Sequence, residues 1–289
     1  MTYTFRNTKE LKEILKNKKI SLYDFFIERE CYLFDRKKED VIKELTEKVL
    51  ITRSAIEKGL KEPQVSFSGL TQGSANKVWK NKAFLIKDNF YQKAIMYSLA
   101  IIEVNACSGK IVSFPTAGSC GIVPGLLWAY KDAYDITDDK LLEGFVAASC
   151  VGMLISINAT LAGAEGGCQA ECGAAAAMAA AGVMYIIKKD LNSMFNAASL
   201  SLKNTLGLAC DPVAGLVEVP CVKRNAFMVS NSITAIELTL NNVKSIIPFD
   251  EVIMAMKNIS SVLPYSLKES ATGGLAITPT AKKYEEKIK

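Results

Sequence analysis

The segment from Leu141 to Ile187 constrains the fold more than any other, because it holds only three charged residues, Glu143, Glu165 and Glu171. Alanine fills much of its second half. Alanine is the most favourable residue for helices and lets neighbouring helices approach closely. Two helices that are apolar on every side cannot face water, so we expect them to form the centre of the molecule.

One part of this segment is apolar enough to raise the question of a membrane. The run Phe145–Ala162 is short for a membrane span, contains four hydroxyl or amide side chains and lacks closely flanking basic anchors. We interpret it as a core helix and expect no membrane association. Helical patterns recur elsewhere and strand-like alternation is scarce, so the predicted fold class is all-α, with buried Ala/Gly-rich central helices.

Capping residues and apolar periodicity give the other helices. Thr8 is expected to cap the first helix, and Ser21 with Asp24 forms a capping-box pattern before the second. Pro124 suits the first turn of a helix that begins near Ile122. The remaining predicted helices are Glu39–Lys58, which stops at Gly59, Phe90–Cys107, Leu191–Leu206, Asn225–Asn241 and Asp250–Ser261.

Charge is concentrated at the start of the chain. Residues 1–62 hold 15 basic and 12 acidic side chains, which indicates solvated amphipathic helices. We predict one domain over residues 1–289, made of a charged helical lobe (1–62) and a core that carries the site (63–289). The net charge of +5 is spread too thinly to indicate a nucleic-acid partner.

The chain contains eight cysteines and no histidine. The missing imidazole excludes a Ser-His-Asp or Cys-His nucleophile pair, a histidine-bound zinc and a histidine base within this chain. The N-terminus has no apolar signal-peptide core, so we expect a cytoplasmic protein. In a reducing compartment, clustered cysteines bind metal or remain buried thiols.

Three cysteines lie where a metal ligand is expected. Cys168 follows a glycine-rich break at a predicted helix N-terminus, where the helix dipole favours a thiolate. Cys210 and Cys221 bound a proline-containing loop, on which ligands can be held in place. Buried structural thiols remain an alternative, and adding Cys172 would complete a four-cysteine zinc site. The other cysteines are expected to serve packing: Cys31, Cys107, Cys120 and Cys150.

Long motifs in this sequence resemble those of the iron–sulfur-dependent L-serine dehydratases, specifically the alpha subunit of the two-subunit bacterial form. They follow the family's order over nearly the whole chain. The sequence departs from the family at Gln72-Gly73-Ser74, where Gly-Gly-Asp is more frequent. The matching segments are SGLT (68–71), PTAGSCGIVPG (115–125), GAEGGCQAE (163–171), CDPVAGLVEVPCVKRNA (210–226), IPFDEV (247–252) and LPYSLKESATGGLAITPT (263–280).

The resemblance implies conversion of L-serine to pyruvate and ammonia at an oxygen-sensitive [4Fe-4S] cluster. Cys168, Cys210 and Cys221 are the family's ligand positions, and the open fourth iron acts as a Lewis acid for the serine hydroxyl. Two loops are candidates to bind the substrate carboxylate: one contains Ser68, Gly69 and Thr71, and the other contains Thr116, Gly118 and Ser119. Three more residues are candidates to support the cluster or to pair with a carboxylate: Glu165, Arg224 and Asn225.

The catalytic base is not identified within this chain. The family carries a Ser-Ser-His motif on its beta subunit, so the resemblance implies a partner chain; Lys223 is the alternative within this one. Two other functions stay open. A pyridoxal phosphate dehydratase would need a Schiff-base lysine, such as Lys110 after Ser108-Gly109, and normally an α/β fold. A non-catalytic zinc-binding or scaffold subunit is the other alternative.

Overall fold

The computed structural model describes residues 3–288, and over that range the backbone is all-α, as predicted. The regular secondary structure of the described residues is helical. These residues form two isolated β-bridges and no extended strand. The α-helices are α1 Thr8–Lys18, α2 Leu22–Phe34, α3 Lys38–Lys61, α4 Ser74–Asn81, α5 Asn89–Ala106, α6 Ile122–Tyr134, α7 Asp138–Asn158, α8 Gly163–Gly166, α9 Ala174–Lys188, α10 Leu191–Lys203, α11 Cys221–Leu240, α12 Phe249–Val262 and α13 Pro279–Ile288.

Helix α9 lies at the centre of the fold, which confirms the expectation from its composition. Every residue from Ala174 to Ile186 is buried, and the helix packs against α6, α7, α10 and α11. Small side chains allow these close contacts. Helix α7 and the segment Gln169–Lys188 are long and apolar enough to cross a membrane, yet 67% and 89% of their apolar windows are buried in the protein. The apolar side chains of these two segments therefore pack in the core of the protein.

The N-terminal caps agree with the sequence in one case and correct it in the other. Ser21 accepts a hydrogen bond from the Asp24 amide at 3.0 Å, as predicted. At α1, however, the cap is Asn7, and Thr8 is the first helical residue. The Thr8 hydroxyl instead donates to Asp250 at 2.6 Å, which ties α1 to α12. The prediction of Thr8 as the cap was wrong because this distant carboxylate takes its hydroxyl.

Gly59 does not end α3, contrary to the prediction. The helix continues to Lys61, and Gly59 is buried within it. A β-carbon at this position would lie 2.5 Å from the carbonyl oxygen of Ala100 on α5. Glycine is therefore needed for the close approach of two helices rather than as a helix terminator.

Helices α10 and α12 match their predicted ranges to within three residues, whereas α11 begins four residues before the predicted start at Asn225. Its first turn forms because the amide of Arg224 donates to the carbonyl of Pro220 at 3.0 Å. The earlier start places Cys221 on the helix. One hydrophobic cluster joins buried residues of the first 62 positions, such as Leu11, to those of the core. The lobe boundary at residue 62 stays a prediction.

Candidate functional site

Cys168 lies in the break between the two central helices. It directly precedes a π-helical turn, Gln169–Gly173, that runs into α9, and it is 2% exposed. The Gln169 side chain fixes this turn, since it donates to Ser260 at 3.0 Å and accepts from the amide of Gly207 at 2.9 Å. The predicted position at a helix N-terminus is confirmed.

Cys210 is held against the C-terminal loop by backbone hydrogen bonds. Its amide donates to the carbonyl of Leu267 at 2.8 Å, and its carbonyl accepts from the amide of Glu269 at 2.8 Å. These bonds form a parallel bridge with Lys268. The loop that carries Cys210 is therefore braced by the segment 263–280, which also brings the Glu269 side chain to the site.

The third cysteine, Cys221, stands at the start of α11 and is 8% exposed. The Cys168 side chain raises the pKa of Cys210, and its charge adds to the effect of burial on the pKa of Cys221. The three predicted ligands are therefore buried near one another, and their role as metal ligands stays a prediction. Cys172, one turn after Cys168, is buried beside it, and Cys168 raises its pKa as well.

One sulfur of this cluster is poised to carry a negative charge. Hydrogen bonds from the Cys172 and Cys210 thiols, with the Arg224 guanidinium nearby, hold the pKa of Cys168 well below its usual range despite burial. The bond to Cys168 raises the pKa of Cys172 and of Cys210, and burial raises that of Cys221 to about 12. A thiolate among buried thiols is a donor set suited to a soft metal, so these residues fit an iron–sulfur or zinc group.

Two carboxylates border the thiols. A Glu171 oxygen lies 3.8 Å from the sulfur of Cys210. This sulfur, one oxygen of Glu171 and one oxygen of Glu269 all lie within 4.8 Å of one another. A β-carbon on Gly163 would meet Glu171 at 2.8 Å and Glu269 at 2.9 Å. Burial raises the pKa of Glu171 to about 7, so this group can change its proton near neutral pH.

Glu171 and Glu269 were not among the residues predicted from the sequence to form the site. A signal existed for the first, because Glu171 is three residues after Cys168 and lies within a helical turn of it. No local pattern marks Glu269. It reaches the site only because residues 267–269 pair with Cys210.

Arg224 spans the loop that begins at Cys210. Its guanidinium donates to the carbonyl of Ala209 at 2.9 Å and lies 3.4 Å from Asp211, a buried carboxylate. Asp211 also accepts from the amide of Leu275 at 2.8 Å. Arg224 therefore pairs with an acid, as the sequence allowed, and contributes positive charge beside Cys168.

Asn225 is fully buried and joins the helix of Cys221 to the turn Thr116–Gly121. Its side-chain nitrogen donates to the carbonyls of Gly118, at 2.9 Å, and Cys221, at 3.0 Å. Its side-chain oxygen accepts from the amide of Gly121 at 3.0 Å. The side chain thereby fixes the position of this candidate loop relative to Cys221.

The hydroxyls of that turn are engaged with protein groups. Thr116 and Ser119 oxygens are 3.0 Å apart, and the Thr116 side chain is near enough to Glu171 to oppose part of the rise in its pKa caused by burial. Ser119 is fully buried and donates to the carbonyl of Phe114 at 3.3 Å. Thr116 thus connects the predicted substrate loop to the carboxylates beside the thiols.

The other candidate loop, Ser66–Thr71, is bound to Glu218, which precedes Cys221 by three residues. The hydroxyls of Ser66, Ser68 and Thr71 all donate to its carboxylate, at 2.5, 2.6 and 2.6 Å. Ser68 and Thr71 had been singled out from the sequence, and Gly69 lies at positive φ in the same loop. Glu218 was missed, because its partners are about 150 residues away in sequence.

The remaining predicted site residues are exposed, and the cysteines predicted to serve packing differ in burial. Glu165 is exposed and accepts from Thr160, and Lys223 and Lys110 are also exposed. Their proposed roles stay predictions. Among the packing cysteines, Cys120 and Cys150 are fully buried, whereas Cys31 and Cys107 are half-buried.

Comparison with known proteins identifies the family. The model of the family described as "Serine dehydratase alpha chain" matches residues 11–276. The chain belongs to this family. As a member of the serine dehydratase alpha chains, it is 42% identical over 286 residues to the Bacillus subtilis protein named "Probable L-serine dehydratase, alpha chain", covering 98% of this chain and 95% of the relative.

Other members of the serine dehydratase family match over different shares of their length. The "L-serine dehydratase, alpha chain" of Peptoniphilus asaccharolyticus is 37% identical over 277 residues, with 95% of both chains covered. "L-serine dehydratase 1" of Escherichia coli is 40% identical over 185 residues, which cover 63% of this chain and 40% of the relative. The family resemblance inferred from the motifs is confirmed.

Proposed function

We propose that this chain is the alpha chain of an L-serine dehydratase, a cytoplasmic lyase that removes water from L-serine to give aminoacrylate. Aminoacrylate tautomerises to an imine, and hydrolysis of the imine takes a water back and releases pyruvate and ammonia. The observation that carries the proposal is the buried cluster of Cys168, Cys210 and Cys221 beside Glu171 and Glu269, in a member of this family. The names of the two relatives of matching length supply the substrate and the term alpha chain.

In this proposal Cys168, Cys210 and Cys221 hold a [4Fe-4S] cluster. When bound, a cluster with one iron free of protein ligands supplies a Lewis acid for the serine hydroxyl, which is a poor leaving group as hydroxide. The chain's own contribution is to keep the three sulfurs buried. Arg224 adds a positive charge that stabilises the thiolate form of Cys168.

Zinc is the second candidate, and Cys172 is the observation that favours it. Cys168 and Cys221 both raise the pKa of Cys172, and a four-cysteine set is a common structural zinc site. Iron is preferred because the carboxylates of Glu171 and Glu269 lie beside the sulfur of Cys210, as expected for a site that handles protons rather than a closed structural one. The all-α fold counts against the pyridoxal phosphate alternative.

The substrate is proposed to lie between the thiol cluster and the two loops, Ser66–Thr71 and Thr116–Ser119. Both loops are tied to the helix and loop that carry the cysteines, one by Glu218 and the other by Asn225. Because the two loops are already fixed relative to the cysteines, L-serine can be held in place without further ordering of the loops. Glu171, which has a pKa of about 7, is positioned to exchange a proton beside Cys210.

The group that removes the α-proton is proposed to come from a beta chain. The 289 residues contain no histidine, and the Escherichia coli relatives extend far beyond the matched region, which fits a site completed by additional sequence. Exposed Lys223 remains the alternative within this chain.

Metal analysis and pyruvate formation test this function together. The anaerobically purified chain is expected to contain iron and inorganic sulfide, and to form pyruvate from L-serine only when a beta chain is added. Zinc without iron or sulfide would contradict the cluster. Full activity from this chain alone would show that the base is internal.

A further inference from the structure

Glu218 is a buried carboxylate within the loop that carries two of the proposed ligands. It is 5% exposed, and its carbonyl accepts from the amide of Val222 at 2.9 Å in the first turn of α11. Its backbone is therefore fixed relative to Cys221. A buried carboxylate is costly unless hydrogen-bond donors surround it.

The donors come from a single loop far away in sequence. Ser66, Ser68 and Thr71 point their hydroxyl protons at Glu218, with oxygen–oxygen distances between 2.5 and 2.6 Å. These bonds join residues 147 to 152 positions apart. Glu218 thus anchors the Ser66–Thr71 loop to the segment that ends at Cys221.

This arrangement determines what the loop can offer to a ligand. A hydroxyl has one proton and two lone pairs, so a hydroxyl that donates to Glu218 is left with acceptor capacity only. Three backbone donors of the loop are also engaged: the amides of Leu70 and Thr71 donate to the Ser68 and Ser66 hydroxyl oxygens at 3.0 and 3.1 Å, and that of Gly69 to the Ser66 carbonyl at 3.0 Å. The hydroxyl oxygens of this loop therefore suit a cation better than a carboxylate.

We propose that Glu218 is a positioning residue that turns the loop hydroxyl protons inward, so that the Ser66–Thr71 loop recognises the α-ammonium group of L-serine. Half-buried Ser68 is the member that meets the substrate, because Ser66 and Thr71 are 5% and 1% exposed. The inference rests on the proposed function for its substrate. It assigns to this loop the ammonium group, rather than the carboxylate expected from the sequence.

Two fragments of serine separate the two groups. Ethanolamine keeps the ammonium and hydroxyl, and glycerate keeps the carboxylate and hydroxyl. Calorimetric binding of each is measured on the anaerobic complex with the beta chain, for the unchanged protein and for Glu218→Gln. The glutamine side chain replaces one acceptor oxygen with an NH2 group that can only donate, which forces a loop hydroxyl to turn its proton outward. Ethanolamine binding is expected to weaken by about tenfold, the scale of a hydrogen bond to a charged group, with glycerate unchanged or tighter.

Controls distinguish this effect from a general loss of charge. Glu62→Gln removes an exposed carboxylate a few residues before the same loop and is expected to leave both affinities unchanged. Ser68→Ala keeps Glu218 and is expected to weaken ethanolamine alone. Equal losses for ethanolamine and glycerate in Glu218→Gln, or a loss confined to glycerate, would overturn the proposal.

Amide hydrogen exchange gives a readout that needs neither turnover nor ligand. Glu218→Ala frees the hydroxyls that hold the amides of Leu70 and Thr71, so their exchange is expected to accelerate at least about tenfold, while amides of α9 keep their rates. Unchanged exchange rates of the Leu70 and Thr71 amides would show that Glu218 does not anchor the loop. A complex that binds ethanolamine through Glu218 but makes no pyruvate contradicts the proposed function alone. One that makes pyruvate but binds ethanolamine independently of Glu218 contradicts this inference alone.

Discussion

The side-chain nitrogen of Asn225 donates a hydrogen bond to the carbonyl of Gly118 at 2.9 Å, across 107 positions of sequence. The same side chain also bonds the Gly121 amide and the Cys221 carbonyl, and it is fully buried. One residue therefore fixes the Thr116–Gly121 turn to the helix that begins at Cys221. Neither segment can shift without breaking this set of bonds.

Asn225→Ala is expected to destabilise the protein by about 2–4 kcal/mol, because it leaves buried backbone groups without partners. Urea unfolding of the metal-free chain measures the loss. Asn241→Ala is the control, since Asn241 directly follows the same helix, is exposed and donates from its side chain to the carbonyl of Glu237 one turn earlier. A loss at Asn225 no greater than at Asn241 would show that the bridge contributes little.

A network around Asp132 is expected to affect stability without affecting catalysis. Asp132 accepts from Arg53 at 2.6 Å and from Tyr97 at 2.8 Å, which joins α3, α5 and α6. Asp132→Asn weakens both bonds and should cost about 2 kcal/mol, measured by thermal unfolding. Exposed Asp135→Asn is the control. A fall in kcat at unchanged stability would contradict this assignment.

Gly59→Ala tests the close packing of α3 and α5. The added β-carbon would lie 2.5 Å from the Ala100 carbonyl oxygen, so the helices must separate, at a cost of about 1–3 kcal/mol. Ser54→Ala on the same helix is exposed and should have almost no effect. Equal stability of the two variants would mean that the helix contact adjusts without cost.

These sites show where sequence reasoning succeeds. The buried core was evident from the lack of charge around α7 and α9, because apolar helices have no other place in a folded protein. Helix ends were less predictable. Gly59 has the features of a terminator, and only the position of α5 reveals that it serves packing.

The candidate site likewise contains residues that the sequence predicts and residues that only the fold brings together. Cys168, Cys210 and Cys221 stand in motifs that can be recognised along the chain, whereas the partners of Glu218 and Glu269 are set by tertiary contacts. A lone glutamate in a loop carries no local signal of three distant hydroxyls. Local sequence therefore predicts the three cysteines as ligands, whereas the carboxylates beside them become evident only in the folded chain.

Substituting the cysteines one at a time separates the two metal candidates. Cys168→Ala, Cys210→Ala and Cys221→Ala are each expected to abolish retention of iron and sulfide. An iron that has lost its thiolate ligand is exposed to solvent, and the cluster then dissociates. Half-buried Cys31→Ala is the control and should retain the visible absorption of the unchanged protein. Cys172→Ala decides between the metals: an iron–sulfur cluster survives it, whereas a four-cysteine zinc site loses its metal. Equal colour and iron content in all five proteins would refute the ligand set.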